Sequence, residues 1–214
     1  MFWNTVDERL REYLNLFMGS HEFDDFRLVG GTALSLQIGH RMSVDIDLFT
    51  DAQYGTISFD NIEKFLYQHF GYVDGIENAL PVGMGRSYFI GSTRDVAIKL
   101  DAYYNENFIT PPVISENVRM ASVEEIIAMK IDVVSRGGRK KDFWDIHELF
   151  NTYTVNEMLD LHEQRYPFSH DRNEILAKFT DFENADDDFE PYCLRGKHWD
   201  MVKMDIVRAV ERTL

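Results

Sequence analysis

The sequence predicts an α+β fold: a sheet flanked by helices, followed by a C-terminal helical region. Three observations predict it. The front of the chain reads strand, glycine turn, helix, strand. Residues 88–101 are strand-rich, with Val96, Ile98 and Leu100 alternating against Ala97, Lys99 and Asp101. From Ser122 the apolar spacing turns helical and stays so. The change of pattern near residues 115–121 divides a core over residues 1–120 from a helical region over residues 121–214.

Each element has its own signal. Val6, Leu10, Tyr13, Leu14, Phe17 and Met18 recur at helical spacing, which predicts a helix over 5–18. Residues 26–29 read as a short strand broken by Gly30-Gly31. Thr32 is the expected N-cap of a helix that Gly39 ends. A strand follows over 44–49 and a helix over 61–70. Tyr88-Phe89-Ile90 is a strand, Thr93-Arg94-Asp95 a turn, and Pro111-Pro112 another. A short strand is expected at 113–114 or at 118–120. Ser122-Val123-Glu124-Glu125 looks like a capping box opening a helix to Val134. Residues 136–141 (RGGRKK) read as a basic loop. Further helices are expected over 141–153, 155–165, 171–179 and 198–210. The acidic run 181–190 reads as a solvated loop.

Composition narrows the function. The chain has 214 residues, 44% apolar and 28% charged, which predicts a packed core rather than disorder. Its 22 Lys+Arg against 37 Asp+Glu leave −15 at pH 7. That excludes coating duplex nucleic acid through overall charge, since phosphate binding rests on a basic footprint. A local basic patch stays compatible with a nucleotide or an RNA end. The surplus of negatives also predicts a cationic counterpart, metal ions or a basic partner. One cysteine, Cys193, excludes an internal disulfide and a multi-cysteine zinc site. The start, MFWNTVDERLREYL, carries acids where a signal peptide carries bases. No apolar run approaches the ~20 residues of a membrane span. A soluble cytoplasmic chain without a membrane partner is the expectation.

The chemistry concentrates in Gly30-Gly31-Thr32 and Asp45-Ile46-Asp47. Glycines at a strand-to-helix turn let the backbone approach an anion, with helix N–H groups aimed at it. Asp45 and Asp47 stand two apart on an expected strand, so both carboxylates project from one face. Two carboxylates beside a phosphate-binding turn suit a Mg²⁺ site. Each piece alone reads equally as solvent-facing acids or a plain turn. Together they are far more specific.

LVGGTALSLQIGHRMSVDIDLF, residues 28–49, resembles the signature of polymerase-β-like nucleotidyltransferases. GGTAL followed by His40, Arg41, Ser43 and Asp45-Ile46-Asp47-Leu48-Phe49 is similar to the AbiEii/AbiGii abortive-infection toxin family. A second block resembles that family's later motif: Lys130, then Arg139-Lys140-Lys141-Asp142-Phe143-Trp144-Asp145-Ile146. The resemblance covers residues 26–150. It implies a mixed sheet and a Mg²⁺- (or Mn²⁺-) dependent transfer of NMP from an NTP to an acceptor hydroxyl. It also implies the toxin half of a toxin–antitoxin pair, an antitoxin partner, and a tRNA 3′ end as one RNA acceptor.

The resemblance further implies roles for single residues. The phosphates would lie on Gly30, Gly31 and Thr32. Asp45 and Asp47 would hold metal, with Asp101 as third carboxylate and Asp95 a poorer match. Lys130, on an apolar helix, would reach into the cleft toward phosphates rather than snorkel to solvent. Asp142 and Asp145 share a helical face; one holds Lys130 or positions the acceptor, or both merely complement the helix dipole. Arg41 and Ser43 contact the nucleotide or stabilise their loop. Arg136, Arg139, Lys140 and Lys141 are a docking point for an RNA end or triphosphate, or a solvated loop. His40 is a weak site candidate and the other histidines are none. Phe143 and Trp144 are expected to pack. Two other functions stay open: an aminoglycoside-type nucleotidyltransferase, whose acidic cleft would suit a cationic drug, and a degenerate nucleotide-binding module.

Overall fold

Asp7 starts the first helix, α1 (Glu8–Met18), by accepting a hydrogen bond from the backbone N–H of Leu10. Leu10, Leu14 and Phe17 fall on one stripe and are completely or almost completely buried. Each contributes about 1.5–3 kcal/mol by leaving water. The fold is that of a computed structural model, which describes residues 1–75 and 83–213.

The chain then makes β1 (Arg27–Leu28), α2 (Gly30–Ile38), β2 (Ile46–Thr50), α3 (Phe59–His69), β3 (Tyr72–Asp74), β4 (Gly85–Gly91), β5 (Ile98–Tyr104), β6 (Val113–Ser115) and β7 (Val118–Met120). The strands form one mixed sheet in the order β3-β4-β5-β2-β1-β7-β6. β2 pairs in parallel with β5 and antiparallel with β1; β1 pairs in parallel with β7. Burial alternates strictly along β2 and β5. Leu48, Leu100 and Ala102 enter the core, and Asp47, Lys99, Asp101 and Tyr103 face the other way. The sequence predicts one short strand, at 113–114 or at 118–120; both places carry one, and they form an antiparallel pair.

Helices follow: α4 (Val123–Ser135), α5 (Lys140–Leu149), α6 (Val155–Arg165), α7 (Arg172–Phe179), the single-turn α8 (Glu183–Asp186) and α9 (Trp199–Glu211). Ser122 caps α4 through the N–H of Glu125, and Thr154 with Glu157 forms a capping box on α6. Phe143 and Trp144 are buried, as expected, against Phe182 and Trp199. No helix among the described residues is long and apolar enough to cross a membrane.

Several expectations are corrected. Thr32 is not an N-cap: α2 starts two residues earlier, and Val29 precedes it without a side-chain cap. β2 begins at Ile46, so Asp45 precedes the strand. Val96 lies in a 3-10 turn ahead of β5, half-buried rather than in the core. α5 ends at Leu149 rather than Tyr153 and begins at Lys140, inside the expected basic loop. The acidic run 181–190 is not merely solvated. Its Asp186 accepts from Trp199 and Lys203, and Asp188 accepts from Arg139.

Candidate active site

α2 begins with a conformation that selects glycine. Gly30 has φ +68°, and a Cβ there would stand 2.6 Å from Asp47 Oδ2. A Cβ on Gly31 would overlap the Arg41 guanidinium. The first turn therefore lies against Asp47 on one side and Arg41 on the other. With no side-chain cap, its leading N–H groups have no partner from the preceding residue. Thr32 instead ties the turn to the loop before β2. Its hydroxyl donates to the Asp45 carbonyl and takes a hydrogen bond from Ser43 Oγ at 2.7 Å.

Asp47 and Asp101 are register partners across the parallel β2–β5 pair, so their side chains leave the sheet side by side. Ser87, on β4, stands opposite Asp101 on the other flank. Asp47 is partly buried, and its carboxyl is pushed up to about 6. Burial is the main cause, followed by the charges of Asp101 and Asp45, with Lys130 and Lys141 opposing. Asp101 Oδ2 takes the Lys99 ammonium at 2.6 Å, while its Oδ1 is buried without a partner. Burial works to lower the Lys99 ammonium, but its hydrogen bond to Asp101 and the surrounding carboxylates outweigh that and raise it. Asp45 takes Lys141 at 3.4 Å.

Among the described residues, no three carboxylate, imidazole or thiol groups already stand close enough to clasp one ion. The donors nonetheless fit a hard divalent cation. All are carboxylate oxygens. One of them, Asp101 Oδ1, is buried and unpartnered. The repulsion from Asp101 and Asp45 that adds to burial in raising Asp47 is what such a cation would relieve.

Behind the turn lies a cluster that spacing only half revealed. Asp145 is fully buried and accepts from four donor atoms. These are Arg41 Nε at 2.6 Å and Nη2 at 2.9 Å, His40 Nε2 at 2.7 Å, and Lys130 Nζ at 2.7 Å. Lys130 also donates to Asp142 at 2.6 Å. Burial works to raise Asp145, but Arg41 and Lys130 hold its carboxyl well below the ordinary range. Burial likewise opposes the charges of Arg41 and Lys130, yet the facing carboxylates keep both above their usual values. Burial lowers His40, so it stays neutral.

Of the readings left open for Asp142 and Asp145, holding Lys130 fits both, and Asp145 also gathers Arg41 and His40. Arg41 holds its loop through Asp145 and the Met42 carbonyl. His40 is a member of the cluster. The signal that could have revealed both was adjacency: His40-Arg41 precedes the Asp-x-Asp, and Asp145 stands one turn from Asp142.

The basic run does not act as one patch. Arg136 pairs with Asp132, Arg139 with Asp188, and Lys140 is buried against the Asp186 carbonyl and Trp199. Only Lys141 turns to the carboxylates. Beside it a cavity of about 280 Å³ opens, lined by Arg41, Ser43, Asp45 and Lys141 and edged by Phe189 and Tyr192. Residues 192–194 form this edge by pairing with the Arg41 loop: Met42 N–H donates to the Tyr192 carbonyl, and Leu194 N–H to the His40 carbonyl. Nothing in the local pattern of the sequence announced this contact.

Residues 14–212 match the family model of the nucleotidyl transferase AbiEii toxin of type IV toxin–antitoxin systems. An uncharacterized protein of Aquifex aeolicus (strain VF5) is 25% identical over 211 residues, covering 95% of each chain. The fold is similar to a crystal structure from H. pylori (TM-score 0.59, 18% identity, 96% of this chain and 95% of that one). It is also similar to MenT4, a nucleotidyltransferase toxin from Mycobacterium tuberculosis H37Rv (TM-score 0.57, 14% identity, 94% and 80%).

Proposed function

We propose that this chain, which belongs to the AbiEii nucleotidyl transferase toxin family and is a nucleotidyltransferase, moves NMP from an NTP to the 3′-hydroxyl of a tRNA. The reading rests on one observation above all. Asp47 and Asp101 face outward side by side, and the uncapped start of α2 abuts Asp47. Carboxylates for a cation and N–H groups for phosphates thus share one cleft.

Gly30, Gly31 and Thr32 present their N–H groups to the triphosphate. Arg41 and Lys130, fixed by Asp145, give the wall behind that turn a positive charge. Lys141 and Ser43 line the adjoining cavity, where the rest of the nucleotide fits. Asp45, Asp47 and Asp101 hold Mg²⁺ (or Mn²⁺), which supplies charge stabilisation for an in-line displacement at the α-phosphorus. The acceptor oxygen bonds to that phosphorus, the bond to the β-phosphate's bridging oxygen breaks, and pyrophosphate leaves. Asp101, as the third carboxylate, would also help take the proton of the acceptor hydroxyl. An antitoxin, as the family implies, is the protein partner.

The test incubates the purified chain with each α-³²P-labelled NTP, Mg²⁺ and total tRNA, beside Asp45→Ala/Asp47→Ala. Label on tRNA, absent with the double variant, is the expected result and identifies the nucleotide. Label on a small molecule or protein instead overturns the tRNA acceptor. No transfer to any acceptor, with no NTP binding, overturns the reading and leaves a degenerate module.

A further inference from the structure

A second basic feature of this acidic chain lies away from the carboxylates. A cavity of about 520 Å³ lies between the C-terminal end of α5, the start of α6 and the last turns of α9. Among the described residues its wall carries Lys197, Arg208 and Arg212 against one carboxylate, Asp205. Cations at the end of α9 complement the helix dipole on their own. That does not explain why they surround a space large enough for a small ligand.

The wall is built around a buried imidazole. His147, 5% exposed, bonds Asp205 Oδ2 through Nε2 at 3.1 Å and faces Lys197 Nζ through Nδ1 at 3.3 Å. Burial, and then the Lys197 charge, lower its pKa against the pull of Asp205. A neutral ring satisfies both contacts: Nε2–H donates to Asp205 and Nδ1 accepts from Lys197. The one carboxylate of the wall is thereby engaged. Lys197 also meets the buried Glu148 at 2.9 Å behind the wall. Arg208 keeps only a loose 3.6 Å pair with Asp205, and the Arg212 guanidinium has no hydrogen bond or ion pair among the described residues. Two guanidiniums, one helical turn apart on the last turn of α9 and its C-cap, therefore face the cavity with donors to spare. The side-chain amides of Asn151 and Asn156 line the other side, the Asn156 Oδ1 accepting from Arg172.

We propose that this cavity binds a nucleoside monophosphate, with Arg208 and Arg212 on the phosphate and the asparagine amides facing the nucleoside. The size suits a mononucleotide, and the two forks, only Arg208 loosely paired, suit a phosphate bidentately. The site is distinct from the carboxylate cleft and does not depend on how that cleft works. α5 nevertheless joins them: His147 is two residues beyond Asp145 on the same helix. An occupant would load the helix that orients Arg41 and Lys130.

Isothermal titration calorimetry of the full chain with AMP, CMP, GMP, UMP and inorganic phosphate, in EDTA, tests this. The variants are Arg208→Ala/Arg212→Ala, Arg212→Glu, and Asp45→Asn/Asp47→Asn. Both arginines are exposed, so unchanged melting profiles are expected and establish that the variants fold. The expected result is one site for at least one monophosphate, weakened tenfold or more by either arginine change and unaltered by the aspartate pair. No binding of any monophosphate overturns the proposal. Binding that survives both arginine variants overturns it as well. Phosphate bound as tightly as every monophosphate overturns the nucleoside and leaves a simple anion site.

Discussion

Asp47 shows how a single residue couples stability to pH. Its folded carboxyl sits near 6, against an ordinary 3.8. The folded chain thus holds this proton more tightly than the unfolded chain. Stability attributable to Asp47 is greatest below the unfolded value and is lost as pH rises through the folded one. Two units of difference correspond to about 3 kcal/mol of strain at neutral pH. Asp47→Asn should therefore stabilise the metal-free chain by about 2–3 kcal/mol at pH 8 and by almost nothing at pH 3.5. Urea denaturation at the two pH values measures this; a destabilised variant at pH 8 would sink the electrostatic account. The same change should abolish transfer. Asp145 predicts the opposite. Asp145→Ala strands Arg41 in a buried site, at a cost of about 3–5 kcal/mol, because an unpaired buried charge is what a broken interior ion pair leaves. Asp142→Ala should cost less, since Lys130 keeps Asp145. Melting of the two variants side by side checks the ranking.

At the scale of the element, α2 and the β2–β5 pair determine the cleft. Gly30 needs a left-handed backbone and an absent side chain at once. Gly30→Ala should cost about 1–2 kcal/mol for the backbone alone and displace the Asp47 carboxylate. A chain that melts slightly lower but loses nearly all transfer is the expected outcome; wild-type transfer rates would remove the turn from the site. The strand-turn-helix-strand order, the glycines, Gly39 as left-handed terminator, and the alternation of β5 were all readable from the sequence, because each is a local property of neighbouring residues. Element ends were not. Thr32 looked like a cap because hydroxyls favour that place, yet its hydroxyl is drawn to Ser43 and the Asp45 carbonyl across the turn. Register was also unreadable: that Asp47 meets Asp101 depends on a parallel pairing of strands separated by about fifty residues.

For the whole molecule, the −15 charge is managed rather than spread evenly. The acidic stretch before α9 is consumed by Arg139, Lys203 and Trp199, and the acidic cleft is partly balanced by Lys99 and Lys141. Binding of a cation to the folded state alone stabilises by mass action, about 2.7 kcal/mol at a hundredfold excess over its Kd. MgCl₂ should raise the melting midpoint beyond what NaCl of equal ionic strength does, and Asp45→Asn/Asp101→Asn should erase that excess. Equal midpoints in the two salts would show screening only.

The sequence by itself determined the class of fold, the glycine turn, the Asp-x-Asp and the place of Asp101 on an alternating strand, since these depend on residue type and short spacing. Only the tertiary structure decided what Asp145 does, which lysines meet which carboxylates, and that residues 192–194 brace the Arg41 loop. Those are contacts between distant segments. They are chosen by burial, which makes an unpaired charge costly and forces each buried donor to find the acceptor that the fold brings to it.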